Sequence, residues 1–167
     1  MKKFFLIILI LLPIFKVSAI STNLSIHVNL WPAGDFVAVS KEIKGKVYKK
    51  GGKYFGVNIK VPVKSIDTGI ELRNTHLQQR LGADKDSKAS IVLLKGNGEN
   101  GKGDATFLIN GIKQTFPISY KEISPNFIEA QFDIDFSKFK IPNLKYMGVG
   151  VQDIGKVVVT IPLEEKK

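Results

Sequence analysis

The amino-acid sequence predicts an all-β protein, an eight-stranded antiparallel barrel of the up-and-down type with one short helix inserted after the third strand. Three observations predict this fold. Apolar and polar residues alternate with period two in several segments, as they do in half-buried strands. The Asn-Gly pair at residues 110–111 marks a tight hairpin turn. One stretch alone, residues 67–81, replaces the alternation with helical spacing.

The first three strands precede the helix. Alternation from Leu24 to Leu30 predicts a strand over residues 22–31. Residues 32–35 end it, because proline and glycine break strands, and a second extended segment runs over residues 36–48. The third strand, residues 54–64, places five apolar side chains on one face: Phe55, Val57, Ile59, Val61 and Val63.

The helix and five further strands follow. Leu77 and Leu81 are one helical turn apart, and Gly82 is expected to end the helix. Strand residues return at 90–94, followed by a glycine- and asparagine-rich loop at 96–103. The turn at 110–111 joins strands 104–109 and 112–120, and residues 127–136 and 156–161 supply the last two. An eight-stranded barrel is either filled by its own side chains or holds one small ligand, and the strand pattern leaves both open.

The length of the chain and its first residues predict how its domains are organised. A chain of 167 residues without cysteine predicts one domain and excludes disulfide scaffolds, thiolate metal sites and thiol nucleophiles. Residues 1–19 combine lysines, a short apolar run and a terminal Ala19, which predicts a signal peptide cleaved after Ala19. No cysteine follows, so no lipid anchor is expected. The exported domain is then residues 20–167.

The net charge of +10 falls to +7 when Lys2, Lys3 and Lys16 leave with the signal peptide. Lysines are scattered along the remaining chain, and Arg73 and Arg80 are its only arginines. Nucleic-acid-binding proteins cluster basic residues with exposed aromatic ones. We therefore predict no nucleic-acid partner and expect transient contact of the basic surface with anionic lipid or envelope polymer.

Three apparent chemical motifs are better explained as structure. Residues 96–101 match G-x-G-x-x-G, but a strand and not a helix follows, which excludes a dinucleotide site. His27 and His76 are far apart, so no metal and no cofactor is predicted, and His27 is expected to be solvated. Ser65, Asp67 and His76 have the residue types of a hydrolase triad, but no G-x-S-x-G motif accompanies them. We predict no enzymatic activity.

Asp67, Arg73 and His76 form the densest polar group near the helix. Asp67 is expected to cap the helix or to form an Asx-turn, since its carboxylate accepts from exposed N–H groups. Arg73 and His76 are three residues apart and share a helix face. They either bind an anionic head group or pair with Asp67.

Several segments resemble the YceI-like family: Ser65-Ile66-Asp67-Thr68-Gly69 followed by Arg73 and His76-Leu77, the hairpin segment 103–111, and residues 139–141, 147–149 and 157–161. The resemblance implies a lipocalin-like barrel, periplasmic or secreted and often a homodimer. It also implies that the apolar interior holds a polyisoprenoid or another long-chain lipid as its hydrophobic ligand.

The lining of such an interior is predicted from the alternating apolar runs to include Val57, Ile59, Val61, Phe107, Ile109, Phe116, Ile118, Phe132 and Ile134. The rival hypothesis is an envelope interaction module. In that module the same side chains fill a closed barrel, and the function lies on the basic exterior, including Lys49 and Lys50.

Overall fold

The structure, a computed structural model, describes residues 19–141, 145–146 and 148–166, so the predicted signal peptide lies outside the described residues except for Ala19. The described residues form ten strands and one α-helix. In chain order these are β1 (Asn23–Trp31), β2 (Gly34–Ser40), β3 (Val47–Lys50), β4 (Lys53–Pro62), α1 (Glu71–Arg80), β5 (Ser90–Glu99), β6 (Lys102–Ile109), β7 (Ile112–Ser124), β8 (Phe127–Asp135), β9 (Lys145–Tyr146) and β10 (Val149–Glu165).

Seven of these strands close a barrel. Their order is β10-β3-β4-β5-β6-β7-β8, and β8 pairs back onto β10. Outside this ring, β1 lies between β10 and β2, and the short β9 also pairs with β10. The prediction of an all-β barrel with one helix is confirmed. Its strands differ in detail, since β3 runs parallel to β10 while the other described pairs are antiparallel.

The predicted second strand, residues 36–48, is divided into β2 and β3. Between them Lys44 forms an isolated bridge with Lys60 of β4. The next residue, Gly45, has a φ of +120°, and a Cβ placed on it would lie 3.1 Å from the Cα of Ile59. A left-handed glycine therefore turns the chain where it approaches β4 too closely for a side chain. For this reason the helix follows the fourth strand and not the third.

Strand β10 is much longer than the predicted segment 156–161. It pairs with β8 along one edge and with β1 and then β3 along the other. Buried residues alternate through its second half, from Gly155 to Leu163. Glycines 150 and 155 and Pro162 interrupt the apolar pattern in the sequence, which explains why its full length was not predicted.

The predicted helix end and hairpin turn are confirmed. Gly82 has a φ of +74°, and the N–H groups of Gly82 and Ala83 donate to the carbonyls of Gln79 and Gln78, the pattern of a Schellman C-cap. Asn110 and Gly111 both have positive φ, as a type I′ turn requires. Residues 100–101 form the same turn, so the predicted loop 96–103 is wrong: β5 continues to Glu99 and β6 begins at Lys102.

Candidate functional site

The inner wall of the barrel changes its alternation at Asn58 in β4. Asn58 has a φ of +53°, in the left-handed region. Tyr54 and Gly56 line the interior before it, and Ile59 and Val61 line it after. A single residue in an irregular conformation shifts the alternation of the strand by one position, so the side chains that follow it point to the opposite face. Val57 consequently lies on the outer face with 56% exposure, contrary to its predicted place in the lining.

The neighbouring strand β5 makes the same change. Its register to β6 shifts between Leu93 and Lys95, next to the position of Asn58 on β4. Ile91 and Leu93 face the interior on one side of this shift, and two glycines, Gly96 and Gly98, face it on the other. Because the glycines carry no side chain, they leave room on the wall for neighbouring side chains, and the Tyr120 ring lies over Gly98.

An apolar inner chamber of about 120 Å³ results. Six of the predicted lining residues border it: Ile59, Val61, Phe107, Ile118, Phe132 and Ile134. The rings of Phe107 and Phe132 stack with centroids 4.9 Å apart. Phe116 does not line this chamber. It is buried in the core, where its ring packs against that of Phe139 with the ring centroids 5.9 Å apart.

Two tyrosines close the far end of the inner chamber. The rings of Tyr54 and Tyr120 lie 4.8 Å apart. The Tyr54 hydroxyl donates to the Glu122 carboxylate, which also accepts from Lys49 at 2.7 Å. These bonds, that of Lys49 first, hold the pKa of Glu122 below its usual value. Burial raises the pKa of Tyr120, whose hydroxyl has no hydrogen-bond partner within the described part of the chain.

A larger outer chamber of about 570 Å³ lies at the opposite end, next to α1. It lies between the helix, the β1–β2 hairpin and the first half of β10, and the predicted residue Ile109 lines it. Ile26, Ile91 and Ile134 border both chambers. The two spaces therefore adjoin through an apolar neck.

The polar part of the outer chamber comes from α1. Arg73, His76 and Arg80 all line it. The guanidinium of Arg73 lies 4.1 Å above the Phe36 ring and donates to the Thr68 carbonyl at 3.2 Å. Among the described residues no carboxylate forms a salt bridge with Arg73. This cation is held in place without a neutralising partner.

Asp67 forms the predicted Asx-turn and stays out of the chamber. Its carboxylate accepts from the Gly69 N–H at 2.9 Å and from the Asn74 amide at 3.0 Å. These two bonds, that of Asn74 first, lower the pKa of Asp67. The carbonyl oxygen of the same Asn74 side chain accepts from the backbone N–H and hydroxyl of Thr68. Asp67 thus anchors the start of the helix through Asn74 and forms no salt bridge with Arg73.

The other polar candidates lie apart from this group. The hydroxyl of Ser65 donates to the Pro62 carbonyl and contacts the Ser40 hydroxyl, both at 2.7 Å. His27 is 44% exposed at its side chain and pairs with Asp35 at 2.7 Å, as a solvated position predicts. Over the described ranges, no three His, Asp or Glu residues group as metal ligands, and no helix has the length and apolarity to cross a bilayer.

The rim of the outer chamber exposes apolar side chains. Ile70 and Leu72, at the start of α1, both line the chamber and are 51% and 59% exposed. Trp31 is 70% exposed at the tip of the β1–β2 hairpin, and Leu30 and Ala33 on either side of it line the chamber. Ile70 and Leu72 thus combine exposure with a place in the chamber wall, and Trp31 is next in the chain to a residue of that wall.

Sequence reasoning missed the tyrosine pair and the second chamber. Tyr54 falls in the polar phase of β4 as the sequence alone presents it, since the change at Asn58 is invisible there. The glycine- and asparagine-rich pattern places Gly96 and Gly98 in a loop. The signal that identifies them as strand residues is the Asn-Gly pair at 100–101, the same dipeptide that marks the predicted hairpin.

The YceI-like domain family matches residues 15–164. Similar solved structures include Burkholderia cenocepacia BcnA (TM-score 0.61, 13% identity, 84% of this chain and 95% of that chain). They also include a polyisoprenoid binding domain from Saccharophagus degradans implicated in plant cell wall breakdown (TM-score 0.54, 12% identity, 84% and 94%). A third is the Campylobacter jejuni YceI protein (TM-score 0.53, 16% identity, 78% and 85%). At these identities the likeness shows the fold. No curated protein matches the chain.

Proposed function

Because this chain belongs to the family of YceI-like domains, we propose that it is a non-enzymatic binding protein that holds a polyisoprenoid or similar long-chain lipid. The observation that carries the proposal is an apolar chamber inside the barrel that adjoins a larger apolar chamber beside α1 and the β1–β2 hairpin. The Saccharophagus degradans structure with the same fold is described as a polyisoprenoid binding domain. Transport, storage or stress protection of the lipid in the periplasm or outside the cell is the role we propose.

The size and lining of the chambers support a hydrocarbon chain. An apolar cavity of about 150 Å³ accepts a benzene-sized molecule. The inner chamber, at about 120 Å³, is slightly smaller than this and has room for the end of a hydrocarbon chain, and the outer chamber, at about 570 Å³, holds several benzene-sized groups. Each Å² of apolar surface removed from water contributes about 25 cal/mol. A branched chain that enters through the outer chamber and passes the neck gains affinity along its whole length.

Arg73 supports an anionic head group on that chain. Its guanidinium sits on Phe36 and uses a single donor for Thr68. The remaining donors match the geometry of a phosphate or carboxylate, which accepts two parallel hydrogen bonds from a guanidinium. The alternative partner considered for Arg73, Asp67, is instead bound to Asn74 and Gly69.

The exposed rim supports loading from a membrane surface. Trp31, Ile70 and Leu72 offer apolar groups that partition into the interfacial region of a bilayer. Arg80 in the same chamber favours anionic lipid. A lipid then moves from the leaflet into the outer chamber without crossing water. The homodimer stays a prediction, and this route does not depend on it, since residues of a single chain line both chambers.

The rival interaction module is less well supported. Its barrel is filled by side chains, whereas this barrel holds an apolar chamber that adjoins a larger one beside α1. Of its two lysines, Lys49 is already paired with Glu122.

Native mass spectrometry of the protein purified from its own host tests the proposal, followed by solvent extraction and mass analysis of what is released. We expect one long-chain lipid per barrel. A bare protein mass, repeated after incubation with prenols, prenyl phosphates and isoprenoid quinones, would contradict the carrier function.

The head-group assignment has its own test. Hydrogen bonds to charged groups contribute about 1.5–3 kcal/mol, so Arg73→Gln should weaken binding of a prenyl phosphate by about tenfold or more. The prenol of the same chain length is the internal control, because it shares the chain and lacks the charge. An unchanged preference for the phosphate in Arg73→Gln would refute the role of Arg73.

A further inference from the structure

The end of the inner chamber is built from aromatic rings lying on glycine. Tyr120 lies across Gly98: a Cβ placed on this glycine would be only 2.4 Å from Cε1 of Tyr120. The Tyr54 ring packs against the Tyr120 ring, and the planes of the two rings are tilted by 56°. Nothing larger than glycine at position 98 is compatible with the ring where it stands. The two rings therefore form a floor across the barrel opposite the helix end.

The two tyrosines are fixed in different ways. Tyr54 is tethered by its hydroxyl, which donates to Glu122, and Lys49 lies 5.7 Å from its ring centroid. The backbone of Tyr120 is also fixed, because its N–H donates to the Gly101 carbonyl at 2.9 Å. Its hydroxyl, in contrast, is buried and finds no partner among the described residues. Packing holds the Tyr120 ring over Gly98, and the Gly101 backbone interacts with its hydroxyl too weakly to meet hydrogen-bond geometry.

We propose that Tyr120 is the floor residue that determines how long an apolar chain the barrel accepts. The inference rests on the proposed lipid-binding function and specifies the substrate class of the same site. A chain that enters through the outer chamber meets Tyr120 with its terminal methyl groups. Because the inner chamber lined by Phe107 and Phe132 offers only apolar contact, its length discriminates between hydrocarbon chains, whatever head group Arg73 binds in the outer chamber.

Chain-length competition tests this assignment on protein expressed from the full 167-residue chain. An equimolar mixture of farnesol, geranylgeraniol and solanesol is incubated with each variant, and the bound prenols are extracted and quantified by mass spectrometry. Burial of two further methylene groups strengthens binding by about tenfold. Tyr120→Ala should therefore raise the ratio of longer to shorter bound prenol about tenfold or more, and Tyr120→Phe, which restores the ring, should restore the original ratio.

Tyr48→Ala is the matched control, because it makes the same truncation at a tyrosine that lines neither chamber. If Tyr120→Ala lacks a cooperative unfolding transition, Tyr120→Leu replaces it, with a smaller shift in the same direction. An unchanged length ratio in a folded Tyr120 variant that still binds prenol overturns the floor assignment alone. Failure of the unsubstituted protein to bind any prenol overturns the lipid-binding function and the floor with it.

Discussion

Loss of a hydroxyl should have opposite effects on the two neighbouring tyrosines. A buried polar group left without a partner costs about 1–3 kcal/mol. Tyr120→Phe removes such a group and should raise the free energy of unfolding by about 1 kcal/mol, at the low end because the residue is only partly buried. Tyr54→Phe removes a bond to Glu122. Solvent weakens a hydrogen bond to a charged group at an exposed site, so Tyr54→Phe should lower the free energy of unfolding by about 1 kcal/mol.

Urea unfolding followed by far-UV circular dichroism measures both changes. Lipid is extracted first, because a ligand that binds only the folded state adds stability of its own. If the free energy of unfolding depends equally steeply on urea concentration in all three proteins, the midpoint of Tyr120→Phe should lie above that of the unsubstituted protein and the midpoint of Tyr54→Phe below it. If Tyr120→Phe destabilises the protein as much as Tyr54→Phe does, the Tyr120 hydroxyl is hydrogen-bonded and the reasoning is refuted.

Three further outcomes are expected. Ile59→Trp should lower lipid occupancy in native mass spectra while Val57→Trp, two residues away on the outer face, leaves it unchanged; equal effects would contradict the change of phase between them. The hydrogen bond from Lys49 holds the pKa of Glu122 below 4.5, so its contribution to stability is complete above that pH and is lost as the pH falls through the folded-state pKa. Glu122→Gln should reduce the loss of stability at acid pH, measured by unfolding followed by circular dichroism. An unchanged dependence of stability on pH would argue against a contribution from the Glu122–Lys49 bond. Asn58→Val should lower the unfolding free energy by about 1–2 kcal/mol, whereas Asn58→Gly should not; similar urea midpoints would exclude backbone strain as the cause.

Local patterns were enough to predict the barrel, its helix and one of its turns. Alternation reports which face a strand buries, and the Asn-Gly pair at 110–111 and the glycine at 82 report positive φ. Alternation also predicts six of the residues that line the inner chamber. Each of them points inward, as the alternation in its part of the strand indicates.

The remainder depends on contacts between distant segments. The left-handed conformation of Asn58 is matched by the register shift in β5, and no periodicity in β4 alone reveals it. Tyr120 becomes a chamber residue only because Gly98 leaves room beneath it. The outer chamber needs α1, β1 and β10 together, which lie far apart in the chain.

The pairing of β10 also has a consequence for the order of folding. This last strand of the described chain is hydrogen-bonded to β8, β1 and β3, so the ring cannot close until residues 149–165 are available. Contacts at such large sequence separation carry a high loop-closure entropy and slow folding. A chain that lacks residues 149–165 therefore remains an open sheet, with the edges of β1, β3 and β8 unpaired where β10 would join them.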